Sequence, residues 1–352
     1  MLKNNSLYLS IKYIISLMRF SKSIPSHIKV TDSTYIGLNG DKLPLKIIKS
    51  RNTLNRTLII FPGASPTAEE HPGLLFLSSV LANIGFNIYI PRMPLLKKLN
   101  ISEDNVNWFA YGYSQLIKRD DIQGTRISCM GVSFGGAILL KASLNKLMLA
   151  SPPHSILTYG TYYDVRKSMD FLIHGTINIK GKDIAIQPHE WGLVVFMHNF
   201  LHTVDVGFDT SNLEKILALR IQDMDIDKDL ENLSTYDRKI INDILNSKIS
   251  NEVNKIIDVI FKERIDLLDD ISPKNWCEQV KSKVYVMHGA NDNMVPYTQS
   301  VDLANHLVNS ELFISYLYEH NEISHNRSFF YKIKELLRIV SYMRGYIKYH
   351  EN

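Results

Sequence analysis

One serine in this sequence stands between two glycines, in Gly131-Val132-Ser133-Phe134-Gly135. A serine hydroxyl is a weak nucleophile until a base takes its proton and a third group holds that base. The five-residue pattern recurs by chance in many chains, so its context decides its meaning. Here an apolar run, Arg126 to Met130, precedes the serine, and a helix-forming stretch, Phe134 to Ala142, follows it. A strand, a tight turn and a helix in that order lift the serine Oγ to the carboxyl edge of a sheet. Glycines two residues before and after avoid clashes with neighbouring backbone. The N-terminus of the next helix then faces developing negative charge.

The groups such a serine needs lie downstream. Asp292, in His288-Gly289-Ala290-Asn291-Asp292, follows the apolar run Val284 to Met287 and is the candidate acid. Two histidines follow the last apolar run, His320 and His325. His320 is favoured as the base because it lies three residues beyond Leu317 and well ahead of the final helix. His325, almost at the start of that helix, remains the alternative. Two backbone N–H groups are expected to receive an oxyanion, one from Phe134 and one from Ala64 in Pro62-Gly63-Ala64-Ser65-Pro66, with Ser65 able to assist.

Other residues offer weaker chemistry. His198 and His202 stand one helical turn apart with Asp205 nearby, a spacing that can bind zinc, yet no glutamate follows His198 as in the metalloprotease motif. They are read as ordinary helix-face histidines, and no metal is expected. His71 is as compatible with a surface position as with the mouth of the site. Tyr159, Tyr162, Tyr163, Trp191 and Phe196 could line an acyl pocket or simply form core.

The elements that must hold these groups follow an α/β rhythm. Thr57 to Phe61, Phe86 to Ile90, Thr125 to Gly131 and Lys146 to Ala150 read as buried strands. Helices are expected between them over Pro72 to Ile84, Glu103 to Lys118 (with Ser102 as N-cap) and Phe134 to Ala142. His27 to Val30 and Leu43 to Ile48, more polar, suit an antiparallel pair at the sheet edge. From about His154 to Ser272 the rhythm stops and helical stretches take over. The alternation returns at Lys283 to Gly289, Glu311 to Leu317 and the helix Phe329 to Met343. An interruption of about 120 residues far exceeds ordinary connections, so it reads as a helical cap.

The composition sets outer bounds. The 352 residues are 45% hydrophobic and 22% charged, as expected of a chain with a sizeable core. A net charge of +4 without a basic run argues against a nucleic-acid partner. The two cysteines, Cys129 and Cys277, make no disulfide framework and suit a cytoplasmic chain. Leu7 to Arg19 is apolar but interrupted by Lys12, too short and charged to span a bilayer. Its residues 7, 11, 14, 15 and 18 fit one helical face. That face is expected to pack on the body of the protein, with peripheral membrane contact as the sharper alternative.

Phe61-Pro62-Gly63-Ala64, the turn around Ser133, His288-Gly289-Ala290-Asn291-Asp292 and the histidine after the last strand together resemble the α/β-hydrolase superfamily. The likeness covers about residues 40–153 and 280–345. One departure is that Pro62-Gly63 replaces the usual His-Gly, which leaves the backbone donor in place. The resemblance implies an eight-stranded, mostly parallel sheet and a Ser133-Asp292-His320 triad that needs no cofactor. The expected organisation is an N-terminal amphipathic helix (1–25), a first core part (26–153), a helical cap (154–272) and a second core part (273–352). The expected activity is hydrolysis of an ester or related acyl bond in a small molecule. An acyltransferase, a peptidase or a non-catalytic binding protein of the same fold would share these features.

Overall fold

The computed structural model describes residues 5–20, 24–51, 53–179, 181–319 and 329–351, with the backbone alone for 317–319 and 329–330. Its sheet strands are β1 (Ile28–Ile36), β2 (Lys42–Ser50), β3 (Arg56–Phe61), β4 (Asn87–Pro91), β5 (Arg126–Val132) and β6 (Ile156–Tyr159). A hairpin of β7 (Thr176–Ile179) and β8 (Lys182–Ala185) stands apart, and β9 (Val284–Asn291) and β10 (Ser310–Glu319) complete the main sheet. The helices are α1 (Ser6–Phe20), α2 (Pro72–Asn83), α3 (Pro94–Lys97), α4 (Asp104–Leu116), α5 (Phe134–Ala142) and α6 (Lys146–Leu149). There follow α7 (Val165–His174), α8 (Glu190–Phe200), α9 (Ser211–Ile221), α10 (Asp227–Glu231), α11 (Thr235–Leu245), α12 (Asn251–Glu263), α13 (Ile265–Asp270), α14 (Tyr297–His306) and α15 (Phe329–Tyr349).

Strands buried on both faces should read as unbroken apolar runs, and β3 does: all six residues are buried. Alternate side chains serve opposite cores. Ile59 and Phe61 join Phe109, Tyr113, Ile138 and Leu303 on the side of α4, α5 and α14. Leu58 and Ile60 join Leu9, Leu81, Ile339 and Met343 on the side of α1, α2 and α15. The strand order is β1-β2-β4-β3-β5-β6-β9-β10, with β1–β2 and β2–β4 antiparallel and the remaining pairs parallel. This is the expected eight-stranded, mostly parallel sheet with an antiparallel edge. The chain leaves β3 for α2 on one face of the sheet and leaves the neighbouring β5 for α5 on the other, which opens a crevice at the carboxyl ends of β3 and β5. Phe61 is in register with Gly131, so the loops after these two strands start side by side.

Three sequence expectations need correction. Residues 146–150 form helix α6 rather than a strand. Asn145 caps it by accepting a hydrogen bond from Leu147 N, and Leu147 and Leu149 face solvent, so the run lacks the two buried faces a central strand requires. The strand in that place is β6, which extends the first core part past residue 153 to Tyr159. At α4 the N-cap position is Glu103, and Ser102 makes no capping bond.

The N-terminal helix packs on α15 and α2 as expected, but through another face. Leu9, Tyr13, Ile14 and Phe20 are buried, together with Ser10 and Ser16. Of the expected face only Ile14 points inward, while Leu7, Ile11, Ile15 and Met18 are exposed. Polar bonding explains the choice. Asn83, at the end of α2, donates to Ser16 Oγ at 2.8 Å, and its carbonyl accepts from Lys12 Nζ. A buried amide needs such partners, and they turn this side of α1 inward.

Between β6 and β9 the chain inserts α7 to α13 and the β7–β8 hairpin. The insertion has its own apolar cluster, which includes Leu193, Met197, Leu217, Ile240, Ile256 and Ile260. It touches the main body near the crevice. Asn199 Oδ1 accepts from Ile101 N at 2.8 Å, and His189 N donates to Asn293 O at 2.9 Å.

Candidate active site

Ser133 joins β5 to α5 with φ 52 and ψ −128, a conformation an L-residue adopts only under constraint. Three bonds impose it. Ser133 N donates to Tyr159 O at 2.7 Å, and Ser133 O accepts from Gly136 N at 2.9 Å and from Thr161 Oγ1 at 3.2 Å. The two flanking glycines are steric necessities. A Cβ on Gly131 would stand 2.6 Å from Gly135 O, and one on Gly135 would stand 2.2 Å from Pro62 O. The turn therefore lies directly against the loop after β3. Ser133 itself is partly exposed, so its hydroxyl is reachable.

In that loop a Cβ on Gly63 would lie 3.2 Å from Ser133 Cβ. Neither Ala64 N nor Phe134 N donates a hydrogen bond among the described residues. A backbone N–H without an acceptor remains able to donate to developing negative charge. Ser65 differs: its N donates to Leu96 O at 3.2 Å, and its Oγ lies 2.8 Å from Thr67 Oγ1. The expected assistance from Ser65 N would break an existing bond.

Asp292 follows β9, and only β6 separates that strand from β5. Asp292 is buried, at 8% exposure. Its Oδ1 accepts from Met294 N at 2.8 Å and Val295 N at 2.9 Å. Two backbone donors favour the ionised form. Its Oδ2 lies 3.4 Å from where a Cβ on Gly160 would stand, and Gly160 follows Tyr159, the residue whose carbonyl holds Ser133 N. Ser133 and Asp292 thus flank the end of β6. Burial first, and the Asp292 charge second, push the Tyr159 phenol up to about 12. His320 and His325 lie outside the described residues. The backbone of Glu319, directly before His320, pairs with Asn291, directly before Asp292.

Three residues that carry no role in the sequence reading tie this site together. His288 Nε2 lies 2.9 Å from Val295 O and 3.5 Å from Asp292 Oδ2, and Nδ1 lies 2.7 Å from Ser300 Oγ. Ser300 Oγ donates to Thr161 O at 3.0 Å, and Thr161 Oγ1 reaches Ser133 O. A continuous hydrogen-bonded path therefore runs from the acid loop to the serine turn. The sequence quoted His288 only within its motif. Thr161 and Ser300 carry no local signal, because their roles exist only once α14 and the segment after β6 meet.

The serine turn, its strand-to-helix setting and the eight-strand order coincide on one sheet edge. The chain has the α/β-hydrolase fold. A family model described as BD-FAE, an α/β-hydrolase family, matches residues 218–307, about a quarter of the chain, which includes Asp292 but not Ser133. No curated protein matches the chain at the sequence level. Solved structures similar to this hydrolase fold include an esterase of Pyrococcus furiosus, 11% identical, covering 91% of this chain and 92% of that one, with a TM-score of 0.47. An esterase of Exiguobacterium antarcticum is 13% identical over 89% of this chain and 100% of its own, with a TM-score of 0.43. An acylaminoacyl peptidase of Pyrococcus horikoshii is 12% identical over 95% of this chain and 42% of its own, with a TM-score of 0.47.

The remaining candidates fall elsewhere. His198, on α8, and the exposed His202 do not join a third ligand, for no cluster of three metal-binding side chains occurs among the described residues. Burial, then His202, lowers the pKa of His198. His71 is exposed at the start of α2. Tyr162 is core, stacked on Phe134 with ring centroids 5.9 Å apart, and Phe196 belongs to the insertion's cluster. An open surface hollow of about 600 Å³ is lined by Lys141, Asp269, Asp270 and Trp276, and neither Ser133 nor Asp292 borders it.

Proposed function

We propose that this chain is a serine hydrolase that cleaves an ester or related acyl bond through an acyl-enzyme. The observation that carries the reading is Ser133, held at positive φ on a strand-to-helix turn, with a buried, doubly hydrogen-bonded Asp292 at the end of the next strand but one. In this reading Ser133 Oγ attacks the substrate carbonyl while His320 takes its proton. Asp292 orients the imidazole and stabilises its charged form. Ala64 N and Phe134 N donate to the oxyanion. Collapse of the tetrahedral adduct sends the His320 proton to the leaving alcohol, and water then attacks the acyl-Ser133 with His320 again as base. The pairing of Glu319 with Asn291 supports His320, since it delivers the chain to the acid loop one residue earlier. The helical insertion acts as a cap over the crevice. Ala64 is packed against both its apolar cluster and that of the main body, which supports this placement.

The test is labelling by a fluorophosphonate probe, followed by turnover of p-nitrophenyl esters of graded acyl length. Ser133→Ala should lose both. Undiminished hydrolysis in Ser133→Ala overturns the assignment. Comparing His320→Ala with His325→Ala identifies the base: inactivation only by His325→Ala transfers the role to His325.

A further inference from the structure

The buried face of α1 leaves its other apolar face to solvent. Leu7 is 41% exposed, Tyr8 47%, Ile11 44%, Ile15 43% and Met18 58%. Spacings of four, four and three residues put Leu7, Ile11, Ile15 and Met18 on one stripe, about 16 Å long at 1.5 Å per residue. Isolated exposed apolar side chains are ordinary, but a continuous stripe of large ones on a single helix is not. The neighbouring α15 adds Ile333 and Leu337, 38% and 63% exposed.

Charge says what covers this stripe. The first 31 residues hold five lysines and arginines and no acidic residue. Helix α15 holds five more against Glu335 alone. The whole chain has a net charge of only +4, so outside these two segments the balance is negative, at −5. Of the residues on the two helices, Arg19 on α1 and Lys334, Arg344 and Lys348 on α15 are exposed, so exposed positive charge stands on the same two packed helices that carry the exposed apolar side chains. A protein partner could match the apolar stripe alone. A surface apolar in depth and anionic at its rim matches both features, and that is the boundary of an anionic bilayer. No described helix is long and apolar enough to cross a membrane, so the contact is one of lying on the surface.

We infer that the outward face of α1, flanked by the basic residues of α15, docks this protein on an anionic lipid surface. Helix α1 lies in the plane of the interface, with Leu7, Ile11, Ile15 and Met18 among the acyl chains and Arg19 and Lys334 at the phosphates. This docking does not depend on the hydrolase reading.

The full-length protein is mixed with vesicles of phosphatidylcholine alone, or of phosphatidylcholine with phosphatidylglycerol, and bound protein is measured by flotation. Binding should require the anionic lipid and weaken with added salt. Ile11→Ser/Ile15→Ser should reduce it about tenfold, and Arg19→Gln/Lys334→Gln should reduce it on anionic vesicles. Both pairs face solvent, so an unchanged melting temperature shows that folding is intact. As a second readout that preserves the apolar character, Ile11→Trp should shift its emission to the blue on anionic vesicles. Failure to float with either vesicle overturns the proposal, and so does equal binding to both. A wild-type dimer in solution that Ile11→Ser/Ile15→Ser makes monomeric also overturns it, by giving the stripe to a second copy of the chain.

Discussion

His288 places Nε2 3.5 Å from Asp292 Oδ2 while the same nitrogen lies 2.9 Å from Val295 O. Facing two acceptors, Nε2 carries a proton, and the ring pins the acid and the loop that feeds Asp292 its backbone donors. The ring is buried, so removing it strands Val295 O and takes one of two partners from Ser300 Oγ. His288→Leu should therefore lose about 2–3 kcal/mol of stability in denaturant unfolding. It should also lower kcat for ester turnover more than it changes KM, because Asp292 loosens without any change in substrate contacts. A shift of the acidic limb of the kcat/KM profile would separate this positioning role from mere destabilisation. His288→Gln, which keeps a donor, should recover part of the rate.

Ser133 stores backbone strain. A non-glycine residue in this conformation costs about 1–3 kcal/mol, whereas glycine adopts it freely at an entropic cost of up to about 1 kcal/mol in the unfolded chain. Ser133→Gly should thus unfold at higher denaturant concentration than wild type, by about 1 kcal/mol, while losing all probe labelling. Ser133→Ala should be inactive without that gain, because it keeps the Cβ. Equal stability of the two variants would remove the strain argument.

Gly135 tests how tightly the turn abuts the loop after β3. A Cβ there would stand 2.2 Å from Pro62 O, a backbone atom that cannot rotate away. Gly135→Ala must displace the Pro62–Ala64 segment or the start of α5. It should cost more than about 2 kcal/mol in unfolding and reduce kcat by about a hundredfold, as expected when one oxyanion donor is misplaced. Kinetics of any protein that remains folded, with KM measured beside kcat, check this.

What the sequence made legible followed from burial. β3 and β4 are buried throughout, and β5 and β9 over most of their length, so each leaves a largely apolar run. β6 has only four residues and was masked by the stronger apolar run of α6 just before it. Ser133 and Asp292 announce themselves because turn geometry demands glycines and a strand end around them. Thr161 and Ser300 do not, since their bonds link residues 139 positions apart in sequence. Helix α1 was legible as a helix but not in its orientation. Apolar residues line two of its faces, and the deciding partner, Asn83, lies on another element.

His350 should make stability depend on pH below neutrality. Its Nδ1 lies 2.6 Å from Tyr346 O, and its Nε2 lies 2.8 Å from Ser155 Oγ and 2.9 Å from Ser128 Oγ. A carbonyl at Nδ1 and two hydroxyls at Nε2 suit the neutral ring with its proton on Nδ1. Burial above all lowers its pKa from 6.5 to about 4, opposed by the bond to Tyr346 O. A histidine whose pKa is lower in the folded state binds a proton more readily when unfolded. Its stabilising effect is therefore complete above pH 6.5 and declines as pH falls towards 4. The full difference corresponds to about 3 kcal/mol. Denaturant unfolding of wild type should lose stability across that window. His350→Gln cannot take up a proton, so it should show a smaller loss over the same interval, whatever its stability at neutral pH. Parallel curves for the two proteins would show that His350 is not the group responsible.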